Sequence, residues 1–283
     1  MGGDPSEKKS SDGRKLVRGV VDAIDAAWEV EEREDRAYIG ASGIGAKCLA
    51  ELEFGLRGFP AKQPEPKLAR IFRDGHRIEA QVVRDLRKAG YFVLEKDEMT
   101  GRQWHYEMAG GHVKTNTDGM IALDKSKPDR LSLLEVKSMN DELWNKFKDH
   151  GVKVSHPKYY DQMQMMMGMS GLTDCLFIAY NKNTSLYHTE YVEFDDFDWA
   201  YLKTKIVEVF EGKARKITDN PDSFLCRFCF RKEVCWDGKK PETKCSTCVM
   251  SKPMSDGTWW CRKNNDTAKA VCPNWEPWAP KEK

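Results

Sequence analysis

Glu135 and Lys137 stand two apart in Leu-Leu-Glu-Val-Lys-Ser. On a strand both side chains leave the same face, while Val136 points into a core behind them. A carboxylate and an ammonium are thus presented together. Asp118, in Asn-Thr-Asp-Gly-Met-Ile, precedes Gly119, where the backbone can relax and turn the carboxylate toward a neighbour. Hydrolysing a phosphodiester takes hard oxygen ligands for Mg²⁺ or Mn²⁺, and a positive group that holds the attacking water or the developing charge. Asp118, Glu135 and Lys137 are residues of those types. Upstream, Lys67 to Ala89 carries an apolar stripe of Leu68, Ile71, Phe72, Val82 and Leu86, with Glu79 near its centre and His76 at its edge. An acid on an apolar face needs a metal or a partner. Downstream, Tyr159 and Gln162 fall three apart on one helix face, next to Lys158. The bland alternatives are a cross-strand ion pair for Glu135 and Lys137, and plain helix surface for Tyr159 and Gln162.

Eight of the nine cysteines fall into two sets. Cys226, Cys229 and Cys235 form CxxCxxxxxC, far downstream of Cys48. Three clustered thiolates and one distant one can close a four-cysteine shell around an iron–sulfur cluster, tying the ends of a domain together. Cys245, Cys248, Cys261 and Cys272 lie in a short segment with too few apolar residues for a core, and their spacing suits tetrahedral Zn²⁺. Spacing alone does not allot iron to one set and zinc to the other. Cys175, in the apolar run Leu172 to Ala179, reads as a buried core thiol. A long chain without an export signal uses such thiolates for metal rather than disulfides.

These residues need a scaffold, and 283 residues with 40% apolar content suffice for a packed core. No run approaches the roughly 20 apolar residues of a membrane span, and Met1 to Lys15 lack a signal-peptide core, so an intracellular protein is expected. With 46 basic against 45 acidic residues, no global field advertises nucleic acid. Locally, Arg227 to Lys263 holds nine basic and four acidic residues among Phe228, Phe230, Trp236, Trp259 and Trp260. That mixture fits strand contact by phosphate neutralisation and base stacking, or aromatic packing around metal sites. Hydrophobic spacing predicts helices over 14–35, from Ala41 through Cys48 to Phe54 with Ser42 as cap, and over 67–89. Strands follow over 91–94, 103–108, 112–115, 119–123 and 131–136, then helices over 141–148 and 157–169, strands over 176–180 and 186–194, and a helix over 197–214. That order is α/β.

From about Ile39 to Trp236 the chain resembles the PD-(D/E)xK nuclease superfamily, in particular its RecB-like branch. Gly75-His76-Arg77-Ile78-Glu79 is similar to the helix motif, Thr117-Asp118-Gly119 to the metal-binding aspartate motif and Glu135-Val136-Lys137 to the ExK motif. The stretch from His156 to Gln162 is similar to the glutamine-containing helix of viral alkaline exonucleases of the lambda and YqaJ type. Cys48 with Cys226, Cys229 and Cys235 resembles the iron–sulfur nucleases of CRISPR adaptation and the AddB recombination subunit, whose early and late cysteines hold a 4Fe-4S cluster. The resemblance implies a restriction-endonuclease-like α/β core over 14–240, a mixed central sheet flanked by helices and closed by that clasp. A disordered tail over 1–13 precedes it, and a zinc-ribbon-like, cysteine-rich metal-binding module over 241–283 lies outside it.

The same resemblance implies a Mg²⁺- or Mn²⁺-dependent DNA exonuclease working on single- or double-stranded ends, for recombination, repair or spacer processing. It implies recombination or repair proteins as partners and a cytoplasmic setting in a bacterium or virus-infected cell. Carried over by position, Asp118 and Glu135 would bind metal with the Val136 backbone carbonyl. Lys137 would position or deprotonate water, and Gln162 would orient Lys137 or DNA. His76 and Glu79 both qualify as the helix ligand. Arg70, Arg73, Lys153, Lys158 and Tyr159 flank the motifs as candidate DNA contacts. Met166, four after Gln162, departs from the branch's QxxxY pattern. The rival readings are a non-catalytic nucleic-acid adaptor with a degenerate core and a structure-specific endonuclease.

Overall fold

The structure, a computed structural model, describes residues 17, 19–28 and 35–282. The expected tail over 1–13 and most of the acidic run ending at Asp35 lie outside them. The described residues divide into two units, one of residues up to 28 with Gln63–Arg77, the other of Asp35–Lys62 with residues from Ile78 onward.

In chain order the elements are β1 (Ile39–Gly40), α1 (Ala41–Ile44), α2 (Leu49–Arg57), α3 (Pro66–Lys88), β2 (Phe92–Leu94), β3 (His105–Met108), β4 (Val113–Asn116), β5 (Gly119–Ala122) and β6 (Ser132–Met139). There follow α4 (Asp141–Ser155), α5 (Pro157–Ser170), β7 (Asp174–Asn181), β8 (Tyr187–Glu193), α6 (Asp196–Phe210), α7 (Lys232–Trp236), β9 (Ser251–Pro253), β10 (Trp259–Cys261) and β11 (Asp266–Thr267). Among the described residues no helix is long and apolar enough to cross a membrane.

In the larger unit a mixed five-stranded sheet, ordered β2-β5-β6-β7-β8, positions the candidate chemistry. Its pairs are antiparallel except β6 with β7, a parallel pair whose crossover is made by α4 and α5. Alternation along β6 sends Leu134 and Val136 into one layer with Ile78, Val82 and Val83 of α3. Leu133 and Met139 enter the opposite layer with Trp144 and Phe147 of α4 and the buried methionines Met163, Met166 and Met167 of α5. The methionine run of α5 is therefore core filling. By the same parity Glu135 and Lys137 share the α5 side of the sheet.

The helix expected from Ala41 through Phe54 is two helices. Ser42 lies inside α1, whose N-cap is Gly40, and Cys48 is the N-cap residue of α2. The break has a tertiary cause: a Cβ on Gly45 would stand 2.8 Å from the Cα of Lys158, so α5 crosses the end of α1 at glycine distance. Helix α4 runs on to Ser155 across a non-helical Gly151. Beyond α7 the chain returns to α2, where Trp278 packs edge-on against Phe54 and Phe59. Arg57, the last residue of α2 and 2% exposed, sits between the Trp259 and Trp278 rings. Its guanidinium donates to the carbonyls of Ser246, Cys248 and Ser251 and pairs with Glu53 at 2.8 Å.

In the smaller unit residues 19–26 are helical and expose Val20, Val21 and Ile24. Asp25 pairs with Arg70, and Arg73 lies over the Trp28 ring while bonding Asp74.

Candidate active site

Gly119 opens β5 at φ 154°, and a Cβ there would meet the Leu94 carbonyl oxygen at 2.9 Å. Only glycine lets β2 and β5 approach this closely, and the approach sets Asp118 just ahead of the strand. Across the β5–β6 pair the Val136 N–H donates to Asp118 Oδ2 at 2.8 Å. Glu135 is 1% exposed. Its Oε1 receives the Lys137 ammonium and, at 2.9 Å, the side-chain amide of Gln162 on α5. Its Oε2 is buried with no hydrogen-bond partner. An orphaned carboxylate oxygen beside further acids is the donor that a hard cation would complete.

The charges around it are unbalanced. Burial, then Asp118, push Glu79 of α3 up to about 7, with Lys137 opposing. Burial pushes Glu135 up to about 7 as well, with Lys137 opposing and Asp118 and Glu79 adding to the rise. Burial alone would lower the Lys137 pKa, but Glu135 and Asp118 reverse that and hold it above the ordinary lysine range. Glu79, Asp118 and Glu135 thus repel one another beside Lys137, a repulsion that protons or a divalent cation would relieve.

A pH dependence follows. A carboxylate with an ordinary value of 4.5 and a folded value near 7 takes up protons on folding between those limits. Stability of the metal-free protein should therefore fall as pH rises from about 4.5 to about 7 and then level off. The expected loss is on the order of 2 kcal/mol, or roughly 5 °C in Tm. Mg²⁺ or Mn²⁺ should remove it, so the stabilisation by metal grows across that window. Thermal melts from pH 5 to 8 in EDTA and in Mn²⁺ measure both slopes.

The remaining expected site residues are distributed as follows. His76 belongs to the smaller unit and is exposed. Of the candidate DNA contacts, Arg70 and Arg73 are held by Asp25 and Asp74, and Lys153 by Asp198 at 2.7 Å and the Tyr160 hydroxyl. Lys158 is exposed, with its backbone against Gly45. Tyr159 is half-buried, its ring 5.1 Å from the Lys137 ammonium.

Cys48, Cys226, Cys229 and Cys235 line one cavity between α2 and α7. Burial, then Glu51, with Cys48 and Cys226 adding, push Cys229 up to about 12; burial, with Cys48 and Cys226 adding, pushes Cys235 up to about 11. Glu51, one turn into α2, lines the same cavity and hydrogen-bonds Cys229. Sequence reading passed over it, although its place three after Cys48 was visible. Cys245 is pushed up by burial and by Cys248, Cys261 and Cys272, so the second set also gathers. Cys175 is fully buried in β7, and no cysteine is in a disulfide. Among the described residues no three His, Cys, Asp or Glu side chains are already arranged to hold a metal ion.

Solved structures similar to this chain include an alkaline exonuclease from Laribacter hongkongensis, 20% identical with a TM-score of 0.45, over 67% of this chain and 91% of that one. The same exonuclease in complex with dAMP is 19% identical with a TM-score of 0.42, over 62% and 87%. A phage related exonuclease from Haemophilus somnus 129PT is 13% identical with a TM-score of 0.43, over 62% and 92%. No protein-family model and no curated protein matches the sequence.

Proposed function

We propose that the protein is a Mg²⁺- or Mn²⁺-dependent DNA exonuclease of the PD-(D/E)xK type, processing ends for recombination, repair or spacer capture with proteins of those pathways. The observation that carries the reading is the buried Glu135, one oxygen fixed by Lys137 and Gln162 and the other without a hydrogen-bond partner, with Asp118 and Glu79 near enough to repel its charge. Asp118, Glu135 and Glu79 are the metal ligands, with the Val136 carbonyl as a further one. Glu79 is preferred to His76 because its charge couples to Asp118 and Lys137. A cation held there would supply Lewis-acid stabilisation of the phosphate charge.

The chain's own groups do the rest. Lys137 keeps its proton and sets a positive charge beside the scissile group, where charge develops during in-line attack. Gln162 holds Oε1 of Glu135 so that Oε2 keeps one direction. The Val136 amide holds Asp118 in the same way. Cys48, Cys226, Cys229 and Cys235 are proposed as ligands of a structural 4Fe-4S cluster, supported by their common cavity. Cys245, Cys248, Cys261 and Cys272 are proposed to hold Zn²⁺, supported by their mutual proximity.

Anaerobically purified protein is the material for the test, with end-labelled linear and covalently closed circular DNA in Mn²⁺, Mg²⁺ or EDTA. Metal-dependent shortening of linear DNA with circles left intact is expected, along with about four irons and one zinc per chain. Cut circles would favour the endonuclease reading. DNA binding without cutting, by protein carrying its metals, would overturn the catalytic one.

A further inference from the structure

Lys137 has an aromatic neighbour besides Glu135. The Lys137 ammonium lies 5.1 Å from the Tyr159 ring centroid. His156 stacks behind that ring nearly face to face, with centroids 5.5 Å apart and planes 5° apart. Phe177 of β7 approaches it at 6.2 Å. The column is anchored at both ends. His156 Nδ1 is 2.8 Å from Ser155 Oγ, which donates to the Gly151 carbonyl at the break in α4. On the other flank, Lys158 is locked by its backbone against Gly45, so α5 has no room to carry the ring away.

A lysine ammonium ends a flexible four-carbon stem, and a single ion pair leaves it free to swing about Glu135. An aromatic face over which the ammonium also lies restricts that freedom, because the negative face of the ring attracts the cation as well. We infer that Tyr159 is a positioning residue for Lys137, acting through its ring with His156 as backing, rather than a contact to DNA. The inference rests on the nuclease reading for its effect on rate and on the geometry alone for its effect on Lys137.

Two readouts separate these. In Tyr159→Leu, which keeps apolar bulk without the ring, kcat should fall roughly 2- to 30-fold with KM for DNA unchanged. Tyr159→Phe should recover most of that loss. Independently of activity, the Lys137 ε-methylene resonance in metal-free protein, assigned by its absence in Lys137→Ala, should be ring-current shifted upfield. The shift should persist in Tyr159→Phe and vanish in Tyr159→Leu. An unshifted resonance in the parent, or equal rates for the leucine and phenylalanine variants, would overturn the inference while leaving the nuclease reading intact. A rise in KM common to both variants would also overturn it and return Tyr159 to a hydroxyl contact with DNA. A shifted resonance in a protein that cuts no DNA would sink the nuclease reading and keep the placement of Lys137.

Discussion

Lys137→Ala is expected to lower phosphodiester hydrolysis by roughly 10²- to 10³-fold, the range for removing one preorganised group aimed at developing charge. The variant loses an ammonium that acts on both Glu135 and Glu79. Glu135 is then a buried acid with a single remaining donor, Gln162, and takes up a proton rather than stand uncompensated. The lesion is therefore double, since the positive group is gone and the carboxylate proposed to hold metal is pushed toward its neutral form. Glu135→Gln separates the two effects, because it keeps shape and Lys137 but removes the charge. It should lose activity to a similar degree and also lose the stabilisation by Mn²⁺. DNA binding in EDTA should be nearly unchanged in both. Cleavage by Lys137→Ala within threefold of the parent would remove Lys137 from the mechanism.

Arg57→Ala should cost about 3–5 kcal/mol of stability, the range for breaking a buried pair from one side. The guanidinium satisfies Glu53 and three backbone carbonyls and fills the space between two indoles. Removing it leaves Glu53 buried with neither oxygen partnered, because Oε2 has no hydrogen bond even with the arginine present. For a chain of this size the expected fall in Tm is roughly 10 °C. Replacing both partners, as Glu53→Leu with Arg57→Met, should recover part of the loss, though the Ser246, Cys248 and Ser251 carbonyls each lose the arginine as a donor. Urea denaturation of the parent and both variants, with zinc content measured alongside, checks this. A single variant within 1 kcal/mol of the parent would show that solvent reaches the pocket.

What the sequence made legible was periodic or local. The stripe of α3 and the alternation of β6 foretold their elements closely, and α4, though longer than expected, begins where the sequence placed it. Glu79 was marked by an acid on an apolar face, and the pairing of Glu135 with Lys137 by a spacing of two. Gln162 followed from the resemblance. What stayed hidden was set by distant partners. Arg57 looks like an ordinary last-turn arginine, yet its carbonyl partners lie 189 to 194 residues away. The split between α1 and α2 depends on Lys158 passing Gly45. Tyr159 reads as surface because a helix pattern does not say that a parallel crossover will lay its ring beneath a strand lysine. Arg70 and Lys153 read as free cations because a sequence does not show that Asp25 and Asp198 will hold them.

Helix α2, about 13 Å of rod, carries Cys48 at its first end and Arg57 at its last. Along it Glu51 and Phe54 line the cavity of one cysteine set, while Glu53 pairs with Arg57 beside the backbone of the other. Through Ser246, Cys248, Ser251 and Trp278, the stretch 246–278 is thereby packed on the last turns of α2 within the same unit.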